Sequence, residues 1–239
     1  MSQNLIVKPA LAQPPFSLNM PGVDELFPGF VPGDFAVLYG SPSVISLTSL
    51  LCIRAQLPVQ LGGLGGNVVF IDGGNTFRLY KIARLAQLHQ LNPQQVLERI
   101  FISRAFTAYQ LTSLILDKLE ETIKNYNAKL VVISDIAGFF LDSDIPHEEA
   151  QRIYSQVITY LSNFAKKHQV ILVATYLPYE ESRRNNLLQA ITSSKASTVL
   201  SFSKTTYTRE VTLEKHSRFI LGTAELPSEN LTLTDFMSG

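Results

Sequence analysis

The chain has 239 residues, enough to bury one sizeable core, and its 46% hydrophobic content excludes a largely disordered protein. Lysine plus arginine balance aspartate plus glutamate at 20 each, and zero net charge speaks against a protein that lives by gripping phosphate backbone. The single cysteine, Cys52, excludes an internal disulfide and fits a reducing cytoplasm; no apolar run reaches the roughly 18 residues of a membrane span, and no signal peptide opens at Met1.

Residues 1–19 contain Pro9, Pro14 and Pro15 without periodicity and read as an extended arm ahead of a core spanning 20–239. Pro28, Gly29, Pro32 and Gly33 make a turn into the strand Phe35–Tyr39. Val44–Leu57 is a helix stopped by Pro58. Gly62, Gly63, Gly65 and Gly66 form a turn where left-handed backbone carries no Cβ penalty. Asn67–Asp72 is then an apolar, β-branched run, as in a strand covered on both faces. After Gly73-Gly74, Thr76 reads as the N-cap of a helix with Leu79, Ile82, Ala83 and Ala86, running to about Gln90. A strand, a glycine turn and a helix in succession are the parts of a parallel α/β sheet, whose ligand crevice lies at the strands' carboxyl ends.

Asn92-Pro93 caps a short helix Gln94–Glu98, and Ile100–Ser103 is a strand. Tyr109–Tyr126 is one long helix with apolar residues at 111, 114, 115, 119 and 123. Strands Leu130–Ser134 and Val170–Thr175 flank a helix Glu148–Lys167. The last third switches to alternation at Ser197–Ser203, Arg209–Lys215 and Leu231–Thr234, the pattern of antiparallel strands added at one sheet edge.

The run Gln60–Ile82, Q-L-G-G-L-G-G-N-V-V-F-I-D-G-G-N-T-F-R-L-Y-K-I, resembles the central segment of the RadA-type strand-exchange recombinases, within the RecA-like ATPases. Pro21–Leu26, which resembles the family's short helix ending in Asp24-Glu25-Leu26, together with Arg104-Ala105-Phe106 and Glu214-Lys215-His216, extends the resemblance over roughly residues 17–236. It implies a RecA-like α/β domain, a mainly parallel central sheet flanked by helices with antiparallel C-terminal strands. Those recombinases carry a helical DNA-binding domain ahead of the core, for which this chain is expected to have no room.

The resemblance also implies a nucleotide site, and four of its parts are altered. A phosphate loop needs G-x-x-x-x-G-K-[ST], with amides converging on the phosphates, a lysine on the terminal ones and a hydroxyl on Mg²⁺. Here Gly40-Ser41-Pro42-Ser43 leads into Val44 with no lysine before Lys81, about two residues short, and Pro42 has no amide to offer. Gly74 stands where the family has the glutamate that activates the attacking water. In Lys129–Phe140, Ser134 stands at the Mg²⁺-positioning aspartate and Asp135 at the following serine; one step along a strand reverses the side chain, so Asp135 is expected to point away from the site, the alternative being that the strand ends early and Asp135 compensates. Tyr176 stands at the glutamine that senses the terminal phosphate. Phosphoryl transfer rests almost wholly on positioning and charge stabilisation, so no ATPase activity and little or no binding of ATP or Mg²⁺ is expected.

Two loops hold DNA in the recombinases. The first corresponds to Leu141–Glu149, with Asp142, Asp144, Glu148 and Glu149 and no arginine, a composition that repels phosphate. The second corresponds to Pro178–Ala196, read as a solvated or disordered loop in which Arg183, Arg184 and Lys195 are the candidate single-strand contacts. The four histidines lack metal-ligand spacing, and no metal site is expected. The arm's Phe16 is followed by Ser17, Leu18 and Asn19, without the small residue that the family's F-x-x-A filament link requires. The leading expectation is a non-catalytic recombinase paralog in recombination and repair, acting on other RecA-like or repair proteins, compatible with a homodimer and with weak single-stranded DNA binding. The alternatives are an active ATPase or strand-exchange enzyme with unorthodox residues, and a plain single-strand-binding module.

Overall fold

The computed structural model describes residues 14–204 and 208–226. Among these, β1 (Phe35–Tyr39), β2 (Asn67–Asp72), β3 (Ile100–Arg104), β4 (Ala128–Ser134), β5 (Ile171–Tyr176), β6 (Thr198–Lys204), β7 (Arg209–Lys215) and β8 (Gly222–Glu225) form one sheet. Its order is β3-β2-β4-β5-β1-β6-β7-β8. All pairings from β3 across to β6 are parallel, while β7 and β8 are antiparallel. Parallel neighbours need crossovers, and the helices supply them on both faces. This is the RecA-like architecture expected from the sequence.

Alternation along the strands divides the core in two. Phe35 and Val37 of β1, Val69 and Ile71 of β2 and Val131 and Ile133 of β4 pack under α5 (Ala108–Ser113), α6 (Leu119–Tyr126) and α7 (His147–His168), with α8 (Arg183–Lys195) alongside. Ala36, Leu38, Val68, Phe70 and Val132 face the other way, under α1 (Pro21–Leu26), α2 (Val44–Arg54), α3 (Leu79–Leu88) and α4 (Pro93–Glu98). Burial on both faces is why these strands read as unbroken apolar runs.

Several local expectations are corrected. Thr76 caps no helix: α3 starts at Leu79 after Arg78, and Thr76 is buried, its amide donating to Asp72 Oδ1 at 2.7 Å. The helix α2 ends at Arg54, and Ala55–Leu57 continue as tight turns before Pro58. The long helix is interrupted by a π turn at Leu114–Lys118. Leu111, Ile115, Leu119 and Ile123 recur every four residues and are all buried. An α-helix rotates residues four apart progressively off one face, and the wider π winding returns them to the core. Phe16 and Leu18 are buried, and Phe16 exchanges backbone hydrogen bonds with Phe30 at 2.8 and 3.0 Å, so residues 14–19 belong to the folded body. The second loop is not irregular: α8 occupies 183–195, capped by Ser182 Oγ, which accepts the Asn185 amide at 3.0 Å. The expected strand Leu231–Thr234 lies outside the described residues.

Candidate functional site

The carboxyl ends of β1, β2, β4 and β5 bring the altered positions to one edge of the sheet. Gly40 closes β1 with φ +98°, and a Cβ there would stand 2.5 Å from the Phe202 carbonyl oxygen, so β6 presses directly on the turn. Beyond it the amides turn inward. Val44 N–H donates to Ser41 O at 3.2 Å, Ile45 to Pro42 O at 3.1 Å and Ser46 to Ser43 O at 2.9 Å. The Ser43 amide reaches Ser41 Oγ at 3.3 Å. A phosphate at a helix N-terminus is held by first-turn amides left without a local partner. Here those amides are engaged within the turn, and residues 40–48 carry no lysine.

At the end of β2, Asp72 is fully buried and organises its neighbours. Its carboxylate accepts from the Thr76 and Phe77 amides at 2.7 and 3.3 Å and from Ser134 Oγ at 2.8 Å. Arg104 Nη2 pairs with it at 3.0 Å. Ser134 therefore serves Asp72, with its hydroxyl 3.5 Å from the Gly74 amide.

Asp135 follows the last residue of β4 in the left-handed region, φ +51°, a conformation aspartate tolerates. Its amide donates to Thr175 Oγ1 at 2.8 Å, and its Oδ2 accepts from the Tyr179 hydroxyl. It lies among Tyr154, Tyr176 and Tyr179, on the α7–α8 side of the sheet. The carboxyl is 5% exposed and Oδ1 has no hydrogen-bond partner. Burial holds its pKa above the ordinary value, opposed by the Tyr179 hydroxyl and the nearby amides of Gly138 and Leu177. Gly74 is tied to this arrangement, since a Cβ there would lie 2.7 Å from Asp135 Cβ and 3.0 Å from Thr76 Cγ2. A side chain at 74 and the Asp135 side chain compete for one space, so Asp135 does not point away from the site as expected: β4 ends at Ser134 and the left-handed turn brings its side chain back against Gly74.

Tyr176 is also engaged. Its hydroxyl donates to Asn185 Oδ1 at 2.6 Å, and Asn185 Nδ2 donates to the carbonyls of Tyr179 and Glu180 at 3.3 and 3.0 Å. Burial and the nearby Asp135 carboxylate push the pKa of Tyr176 well up, so it stays a neutral donor. Tyr176, Asn185 and Asp135, all buried, are thus joined through the exposed Tyr179 into one hydrogen-bonded network between β5 and α8.

The three cationic candidates are not brought together. Arg183 and Arg184 open α8 and Lys195 closes it, about 18 Å away at 1.5 Å per residue. Arg183 and Lys195 are exposed, whereas Arg184 is half-buried with Nη2 on the Ile145 carbonyl at 3.1 Å. Among the described residues no three His, Cys, Asp or Glu side chains gather as metal ligands, and no helix is long and apolar enough to cross a membrane. Neither the Asp72–Arg104 group nor the Tyr179–Asn185 group was identified from the sequence. For Asp72 the available signal was an aspartate ending a buried strand before a glycine pair.

The fold and these carboxyl-end positions define a RecA-like α/β protein. The Rad51 family model matches residues 31–196, and the chain belongs to that family. It is 28% identical over 128 residues to the DNA repair and recombination protein RadA of Cenarchaeum symbiosum, covering 52% of this chain and 32% of that protein. It is 32% identical over 108 residues to the protein of the same name from Aeropyrum pernix, covering 45% of this chain and 33% of that one. The matched stretch spans about a third of the length of these relatives.

Proposed function

We propose that this chain is a non-catalytic member of the Rad51 family that serves recombination and repair as an accessory protein, through contacts with other proteins. The observation that carries the reading is the replacement of every charged part of the site by internal hydrogen bonding. The turn amides at 44–46 close on their own loop, Ser134 serves Asp72, Tyr176 serves Asn185, and Asp135 fills the space a side chain at Gly74 would need. Restoring one group alone would not rebuild a site whose volume is already occupied. The sheet offers a face for partners instead: β3 is its outer strand, with Ile102 45% and the following Phe106 69% exposed. Outer strands present unpaired backbone groups, a ready template for another chain. The names of the RadA relatives support the process, repair and recombination.

The test is titration calorimetry with ATP and Mg²⁺, together with phosphate release with and without single-stranded DNA. Affinity weaker than millimolar and no turnover are expected. Micromolar binding, or DNA-stimulated hydrolysis, would replace this reading with that of an active enzyme.

A further inference from the structure

Beside the altered site, and sharing Ser43 and Ser46 with its turn, a groove of about 300 Å³ opens between α2, α3 and strands β6 and β7. Its walls are Leu47, Leu50, Leu85 and Phe202, with Met20 and Leu226 at the margin. Ligand clefts begin at about this size, with mainly apolar walls and a few placed polar groups. The polar groups here are Ser43, Ser46, Lys81 and Arg209, so among the described residues the groove is lined by two cationic residues and no acidic one.

Lys81 is the informative member. Its ammonium donates to Ser46 Oγ at 2.5 Å, and it takes part in none of the ion pairs among the described residues. Burial lowers its pKa, the sign of a cation held partly out of water. It also stands in the first turn of α3, where the helix dipole disfavours positive charge, and neither α2 nor α3 has an acidic residue in its first turn to offset this. Apolar walls and a rim cation with no ion pair among the described residues are complementary to an apolar side chain next to a carboxylate.

We propose that this groove docks an acidic, apolar peptide segment of a partner protein, one leucine- or phenylalanine-sized side chain seated against Leu47, Leu50 and Phe202 with a neighbouring carboxylate against Lys81. This names the kind of partner for the accessory role proposed above and rests on that reading. Its location differs from the β3 edge, so the two surfaces can be occupied together.

The test is fluorescence anisotropy with a labelled synthetic peptide of sequence Asp-Asp-Leu-Glu-Phe-Leu, using the full chain. Binding in the tens of micromolar is expected, weakened at least fivefold by Lys81→Glu, retained within twofold by Lys81→Arg, and absent for the analogue with lysine at each acidic position. Lys81 is half-buried at the surface, so Lys81→Glu should fold, and circular dichroism checks this. Should it fail to fold, Ser46→Glu, an exposed position on the same rim, gives the same fivefold test. Absence of binding, or binding indifferent to these changes, overturns the proposal. So does binding that appears only after residues 227–239 are removed, since the groove would then be taken by the chain itself. An active ATPase would sink the accessory reading without altering this peptide result, so the two failures are distinguishable.

Discussion

At the residue scale, Gly74 and Asp135 are fitted to each other. The Asp135 Cβ lies 2.7 Å from where a Cβ at 74 would stand, in a packed and hydrogen-bonded setting. Gly74→Glu should therefore lower stability by about 1–3 kcal/mol, the usual cost of overpacking, and restore no hydrolysis. Urea denaturation and phosphate release measure the two halves of that expectation. Asp135 makes a separate prediction about pH. Its folded pKa is raised, so the native state keeps a proton that the unfolded chain releases from the ordinary value of 3.8 upward. Its contribution to stability is thus greatest below that value and is lost as pH rises through the raised one. Asp135→Asn should flatten this decline, raising the urea midpoint at pH 7 while leaving that at pH 4 little changed. A variant with the wild-type slope would show that Asp135 does not titrate in this way.

At the element scale, the strands and their order of appearance were legible because a strand buried on both faces leaves an unbroken apolar run, as in β1, β2, β4 and β5. What could not be read were features decided by tertiary contact. The π turn at Leu114–Lys118 answers to the core beneath it, and no residue in it is a helix breaker. Residues 183–195 form a helix with no clear apolar stripe: only Asn185, Leu188 and Thr192 are buried, two of them polar residues satisfied by Tyr176 and Tyr154. The altered positions of the site could be picked out singly from the motif, but not the hydrogen bonds joining them, which link residues as far apart as 72 and 134. The cap of α8 gives the element-scale test. Ser182→Ala should cost about 1 kcal/mol, as the loss of an N-cap acceptor does. Because α8 presents Arg183 and Arg184 at that end, any binding of single-stranded DNA should be weak and salt-sensitive, and should fall when both arginines become alanine. Binding that survives 200 mM salt, measured by anisotropy with a labelled oligonucleotide, would favour a nucleic-acid role instead.

At the scale of the whole molecule, assembly follows from where the linking groups have gone. A head-to-tail filament needs a segment of each copy to dock on the next, and in ATP-dependent filaments a nucleotide shared across the interface adds to that linkage. Phe16, the aromatic in the arm before the core, is 2% exposed and bridges Phe30 within its own chain. Its ring also packs against Phe30, with centroids 6.4 Å apart, so withdrawing it to reach a neighbour would open the core. Exposing a buried phenylalanine costs about 1.5–3 kcal/mol, which any intermolecular site would have to recover first. The nucleotide contribution is absent on the reading proposed above, since the turn after Gly40 closes on itself. A symmetric pair needs neither linkage, and the outer strand β3 with Ile102 and Phe106 exposed is a surface on which such a pair could close. Light scattering at tens of micromolar should therefore give a species no larger than a dimer, unchanged by ATP and single-stranded DNA. Ile102→Lys should convert any dimer to monomer without lowering the melting temperature, because that side chain is 45% exposed in the single chain. Growth that continues with concentration and is enhanced by ATP would return the protein to the filament-forming class.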